Sequence, residues 1–419
     1  MNTHKPILNN QTTKEPKLLN ASFNQDQGCF AICHENGFAI YNTDPMELRV
    51  QKNFAAENGG SGNSGIGYIS MLHRTNYLSL VGGGKSPKFP ISKIIIWDDL
   101  KKKASLVLEF NSPVLKVLLS RIRIIGVLKN QVYVYIFSSP PKLLCSYESY
   151  DNEHGICELS SGIIMSNSHR NFNDGDISNK ARNNHIHHHI SNNGDDLHTL
   201  QILAFPGRSI GQIQLVDVSP LGQERNLVSI IKAHKSRIRC LALNRSGTMI
   251  ASASDTGTII RIHSTTTCNL IYEFRRGIDK VIITSMSFSP NSSKLAVLSD
   301  KNTLHVYSLN NVNNNRQHIL HSVPFLLPSY FKSKWSFCSI HLNETNAVGP
   351  GNNKLDDTIN DEGVLGWSDQ NSIIIIWKFK GKWEKYVIDE KDEVIGKNGE
   401  VEKNWEIIRE GWRSFGDLK

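Results

Sequence analysis

LALNRSGTMIASASDTGT (residues 241–258), set against SFSPNSSKLAVLSDKNT (287–303) at an offset of 45 residues, is the comparison that decides the fold. The offset lays Leu243 on Phe288, Ser254 on Ser299, Asp255 on Asp300 and Thr258 on Thr303. Both stretches run from a short apolar segment through a polar turn into a second apolar segment, and then into another turn. That cadence belongs to short strands punctuated by Asn, Ser, Gly and Asp. Self-similarity at this period, with about four strands per unit, is the signature of a WD-type propeller blade.

The same cadence extends in both directions. Apolar runs read as strands at Cys29–Ile32, Phe38–Tyr41, Tyr77–Val81, Ile94–Trp97, Val132–Ile136, Gln212–Val216, Ile259–Ile262, Lys294–Leu298, Leu304–Tyr307 and Ile373–Trp377, whereas no segment reads as a convincing helix. SFNQDQGCFAICHENGFAIYN (22–42) is a weaker copy, IIIWDD (94–99) carries a Trp-Asp pair, and VLGWSDQNSIIIIWKF (364–379) reads as a final blade. Seven blades are expected, near 18–54, 66–110, 112–150, 155–218, 226–274, 277–340 and 341–415. The chain is thus an all-β protein, a seven-bladed β-propeller of WD-repeat type spanning 18–415, preceded by a disordered tail over 1–17. Two stacked β-sandwiches would match the strand count, but not the internal repeat.

Composition narrows the function classes. Among 419 residues the net charge is +8, which suits an anionic partner without naming one: nucleic acid, a membrane surface or a phosphorylated ligand. The N-terminal stretch has no apolar core of a secretory signal, and no apolar run approaches the ~18 residues that span a bilayer. Seven cysteines, odd in number and scattered, argue for reduced thiols in a cytoplasmic protein. Cys29 and Cys33 lack a second pair at metal spacing and read as core residues. No metal or cofactor is expected.

Three segments interrupt the cadence. Residues 165–196 are rich in Asn, Ser and His and read as a disordered insert. Their histidines (His185, His187, His188, His189) have no ordered scaffold to fix a metal geometry. Residues 347–363 read as a second insert. The third, NNVNNNRQHILHSVPFLLPSYFKSKW (310–335), places apolar residues after a run of asparagines.

The chemistry concentrates at IYEFRRGIDK (271–280), where Arg275 and Arg276 lie on the connection between the two matched units. Successive side chains of an extended chain point to opposite faces, so one arginine can lean toward each blade, with Gly277 letting the chain turn. Ser254 and Thr258 on one side, Ser299 and Thr303 on the other, with His234, Arg261 and His305 nearby, form two sets of guanidinium, hydroxyl and imidazole donors. Such sets suit phosphate oxygens. The same residues also allow a plainer reading, in which Asp255 and Asp300 pair with the arginines as ion pairs within the blades.

Phe274, Arg275, Arg276 and Gly277 form an FRRG stretch that resembles the PROPPIN family, the phosphoinositide-binding propellers of autophagy. LVGGG (80–84), AFPGRSIGQIQLVD (204–217), AHKSRIRCLALNRSGTMIASASDTGTIIRI (233–262), LPSYFKSKWSF (327–337) and REGWRSF (409–415) are also similar to it, and 287–307 resembles its fungal branch homologous with the swollen-vacuole protein. The resemblance implies a first headgroup site of His234, Ser254, Thr258, Arg261 and Arg275, and a second of Arg276, Ser299, Thr303 and His305. It implies phosphatidylinositol 3-phosphate and phosphatidylinositol 3,5-bisphosphate as ligands. It also implies a membrane-facing sixth-blade loop over 310–328, with Ile319 and Leu320 as its apolar contacts. A non-enzymatic monomer is expected, peripheral on vacuolar, endosomal or pre-autophagosomal membranes, with autophagy proteins as partners. The rival classes are a propeller scaffold that binds only proteins and a nucleic-acid binder. The latter lacks aromatic stacking platforms among its basic residues.

Overall fold

The computed structural model describes residues 17–57, 62–161, 164–165, 198–316, 333–342, 361–395 and 401–415. Within these, seven sheets of four or five strands follow one another along the chain, antiparallel except for one parallel edge pair in the fifth. Their first strands (Leu18–Phe23, Ile66–Met71, Lys116–Leu119, Glu158–Leu159, Ile238–Leu243, Ile283–Phe288 and Gly363–Trp367) stand side by side around a central channel of about 480 Å³. The result is a seven-bladed β-propeller.

The core is divided in the same way. Seven hydrophobic clusters each join one blade to the next. Between the fifth and sixth blades, for example, Ala253, Ile260 and Phe274 pack with Ile283, Val297 and Tyr307. A middle strand is therefore covered on both faces, and Met249–Ser254 and Lys294–Ser299 are buried after their first residue. Outer strands are covered on one face only, and Leu270–Arg275 buries just Phe274 fully. This explains why inner strands read as continuous apolar runs and outer ones as alternating sequence.

The 45-residue offset is physical. Ile238–Leu243 recurs as Ile283–Phe288, including the register shift two residues in, and Met249–Ser254 recurs as Lys294–Ser299. Both left-handed turn positions recur as well: Gly247 (φ 72°) with Ser292 (61°), and Gly257 (61°) with Asn302 (54°). At the second turn the amide of Gly257 or Asn302 donates to the carbonyl three residues back, Ser254 or Ser299. Past that point the offset drops to 44: Arg261 faces Ser252 across the hairpin as His305 faces Val297. The fifth-blade turn holds one extra residue, so Thr258 and Thr303, superposed in the sequence, are not equivalent in register.

Several expectations need correction. The outer strand of the fourth blade is Val228–Lys232, paired with Gln212–Asp217, so that blade extends well past 218 and the fifth begins at Ile238, not 226. A short helix, Pro220–Arg225, capped by the Ser219 hydroxyl, carries the chain to this edge and masked the link in the sequence. A second helical turn lies at Phe54–Glu57. The insert expected at 347–363 ends earlier, because Asp361 is buried and its carboxylate accepts the amides of Phe379 and Lys380. Of the insert expected at 165–196, residues 166–196 lie outside the described residues, as do Ile319 and Leu320. Its stem is described: Ile164–Met165 pairs with His198–Thr199. All seven cysteines are free; Cys33 is buried and Cys29 half-buried.

Blade 1 locks the ring. From its first turn, Gln25 donates to the carbonyls of Met71 (2.8 Å) and Leu119 (2.9 Å), while Gln27 donates to Ser287 and accepts from the Trp367 amide. Blade 7 meets it through Trp383 Nε1 on the Thr43 carbonyl and Lys385 on Asp44.

The turn at Gly257 should be intolerant of any side chain, because a Cβ would sit 2.0 Å from the Val281 carbonyl at a positive φ. Gly257→Ala is expected to cost about 1–2 kcal/mol or more in chemical denaturation. Gly277→Ala, where a Cβ would meet nothing within 4 Å, is expected to stay within about 0.5 kcal/mol of the parent. Equal losses at the two positions would contradict this account.

Candidate functional site

The arginine pair is placed by its neighbour. Phe274 is buried, stacked on Tyr272 at 5.6 Å and on Tyr307 of the next blade at 4.8 Å between ring centroids. Alternation then turns Arg275 to the other face of the strand, and the Tyr307 hydroxyl donates to the Arg275 carbonyl. Arg276, the first residue past the strand, is fixed through its own amide on the Thr258 carbonyl. Gly277 does not have a left-handed φ, so the turn does not require glycine, and a Cβ there would meet nothing within 4 Å.

The two side chains do part. Arg275 Nε donates to Ser333 Oγ at 3.2 Å, on the strand-like segment that returns from the sixth-blade connection. Arg276 Nε donates to the Gly257 carbonyl, and its Nη2 donates to the Asp279 carbonyl. Burial pulls the Arg276 pKa below its ordinary value, against Tyr307, Asp279 and Asp300, but a guanidinium remains charged. Asp300 itself accepts the Ile282 amide.

Each of the two blades carries a hydroxyl couple at the end of its second strand. Ser299 and Thr303, of the second set, bond at 2.6 Å. In the first set Ser254 bonds Thr256 at 3.1 Å, not Thr258, because of the longer turn. Thr256 is a hydroxyl that the superposition at 45 residues passed over.

Arg261 and His305 occupy the same position in their blades, with different surroundings. Arg261 forms an ion pair with Glu273 (2.8 Å), directly opposite it across the hairpin, and donates to the Ala233 carbonyl. Arg261 is thus held in an ion pair within its blade, with Glu273 and not with Asp255 or Asp300. His305 Nδ1 lies 3.0 Å from Ser336 Oγ.

His234 faces inward: its Nε2 is 2.9 Å from Ser252 Oγ, whose own proton points at the Arg261 carbonyl. With that proton so placed, the Ser252 oxygen accepts from Nε2–H and Nδ1 is left an acceptor. His234 is thus tethered to the second strand of the fifth blade. Glu273 was legible from strand pairing; Ser252, Ser333 and Ser336 carried no local signal. Among the described residues, no group of His, Cys, Asp and Glu is arranged to hold a metal ion.

A seven-bladed propeller with diverging arginines at the end of its fifth blade is the frame for comparison with known proteins. The chain belongs to the PROPPIN family. A sequence model of that family matches residues 192–326, which contain all nine candidate headgroup residues. SVP1-like protein 2 of Debaryomyces hansenii is 54% identical over 100% of both chains, and that of Saccharomyces cerevisiae is 36% identical over 99% of this chain and 100% of its own. Among solved structures, Kluyveromyces lactis Hsv2 superposes with a TM-score of 0.66 at 24% identity, covering 95% of this chain and 99% of its own. A complex of KlAtg21 with the coiled-coil of AgAtg16 superposes at 0.62 and 20% identity, over 95% and 99%. Both likenesses concern the fold.

Burial lowers the pKa of His34, His234 and His305 to about 4, with Arg261 adding to the effect at His234 and Arg276 at His305. The folded state binds fewer protons than the unfolded chain, whose histidines titrate near 6.5. Their contribution is complete above about pH 6.5 and is lost as pH falls toward 4. The melting temperature should therefore drop between pH 7 and 4.5, with a shallower drop in His305→Gln; a flat profile would contradict the assignment.

Proposed function

We propose that this chain is a non-enzymatic phosphoinositide effector of autophagy, docking edge-on to vacuolar, endosomal or pre-autophagosomal membranes. The ligands are phosphatidylinositol 3-phosphate and phosphatidylinositol 3,5-bisphosphate, taken by two adjacent rim sites. The observation that carries this reading is the divergence of Arg275 and Arg276 about the buried Phe274, one onto Ser333 and the other onto the Gly257 carbonyl, in two blades that each carry a hydroxyl couple. Guanidinium forks match phosphate oxygens, and small hydroxyls complete the shell.

Two weak sites on one rigid rim gain avidity once the first headgroup is bound, because the second then binds at a high effective concentration. Ile319 and Leu320, in the proposed membrane-facing loop, would add apolar contact at roughly 25 cal/mol per Å² buried. No helix of the described residues is long and apolar enough to cross a membrane, which is consistent with peripheral attachment. Protein partners from the autophagy machinery would dock on other blades; the coiled-coil bound to KlAtg21 supports a helical segment as one such partner.

Vesicle flotation tests the reading. Arg275→Thr with Arg276→Thr should lower binding to vesicles carrying phosphatidylinositol 3-phosphate at least about tenfold, the scale expected when each site is deprived of one charge-assisted hydrogen bond. Circular dichroism and the melting temperature should be unchanged. Undiminished flotation by the folded double variant would refute the headgroup role, and a DNA or RNA gel shift abolished in the same variant would favour a nucleic-acid binder.

A further inference from the structure

The segment Ser333–Phe337 is the return leg of the sixth-blade connection, and it threads between the two candidate sites. Its Lys334–Trp335 portion adds a fifth, parallel strand to the fifth blade, pairing Lys334 with Phe274 and Trp335 with Arg275. At one end Ser333 Oγ accepts from Arg275 Nε. Two residues further on, the Trp335 amide donates to the Arg316 carbonyl on the outgoing leg. Buried Ser336 meets His305, and Phe337 is locked by its amide on the Val306 carbonyl and by its ring edge-on to Trp405 of the seventh blade, centroids 5.8 Å apart. This one short leg thus touches a proposed ligand-binding side chain in each site.

We propose that this leg is the positioning element of the rim, with Ser333 orienting Arg275 and Ser336 setting the tautomer of His305. The proposal rests on the headgroup reading given above and adds residues that touch no ligand. A neutral imidazole carries one proton, so the hydrogen bond at Nδ1 decides what Nε2 offers. When the Ser336 hydroxyl donates to Nδ1, Nε2 bears the proton and becomes a donor suited to a phosphate oxygen. His234 has the reverse arrangement, with its Nε2–H spent on Ser252. The two sites are therefore unlike: the second has an imidazole donor prepared by the leg, whereas the first relies on guanidinium and hydroxyl groups.

Nitrogen-15 NMR of the full chain with labelled histidine and arginine tests this. In the ligand-free protein, His305, assigned by its loss in His305→Gln, should carry its proton on Nε2, and Ser336→Ala should shift it toward a mixture of tautomers. Titration with soluble inositol 1,3-bisphosphate, followed at His305 and at Arg275 Nε–H, should show affinity at the second site falling about three- to tenfold in Ser336→Ala. Ser333→Ala should produce a similar fall at Arg275, restored by Ser333→Thr, which keeps the acceptor. Ser333 is half-buried, so its variants remain informative if Ser336→Ala proves unstable.

A proton on Nδ1 in the wild type, or wild-type affinities in both alanine variants, would overturn the positioning role. Wild-type resonances that ignore millimolar inositol 1,3-bisphosphate would instead overturn the headgroup reading. The ligand-free tautomer would still decide whether Ser336 governs His305.

Discussion

The rim depends on one buried aromatic ring. Phe274 sits in the cluster that joins the fifth and sixth blades, between Tyr272 and Tyr307. A fully buried Phe of this kind is worth about 3–5 kcal/mol on truncation, and each aromatic pair about 0.5–1.5 kcal/mol beyond area burial. With that ring fixed in the core, Arg275 must point the other way and Arg276 must leave the sheet. Two positive groups adjacent in sequence are thereby held apart against their own repulsion, one against the returning leg at Ser333 and one over the turn at Gly257.

The surroundings are built by repetition and then made different. Equivalent second strands end in serines, Ser254 and Ser299, whose carbonyls anchor the same left-handed turn through Gly257 or Asn302. One extra residue after Gly257 changes the hydroxyl partner in the fifth blade and leaves Arg261 where the sixth has His305. An arginine tied to Glu273 and a neutral histidine tied to Ser336 have different donor capacity, so a repeat in the sequence does not give a repeat in the chemistry. At pH 7 both rim histidines are uncharged, and the attraction for an anion comes from the guanidinium groups.

The blade count and the equivalence of Ser254 and Ser299 at the ends of their strands were legible because they follow from periodicity. Gly257 and Asn302 are residue types that tolerate a left-handed φ, so the turn itself was written locally. The extra residue of the fifth-blade turn was not legible, since an ungapped offset places Thr258 on Thr303 and hides Thr256. His234 read as a donor because nothing near it in sequence announces Ser252, 18 residues away. Ser333 and Ser336 are brought to the rim by a parallel pairing between segments far apart in the chain, Phe274 with Lys334 and Arg275 with Trp335. The fourth blade's edge was hidden for a related reason: the helix Pro220–Arg225 separates Val228–Lys232 from the strand it pairs with.

The central claim is that one arginine pair serves two sites. Isothermal titration of the purified chain with soluble inositol 1,3-bisphosphate, without any membrane, addresses it most directly. The account predicts a stoichiometry of two per chain, falling to one when Ser299 and Thr303 are both replaced by alanine. A wild-type stoichiometry of one would contradict it, because the two guanidinium groups would then be gripping a single ligand.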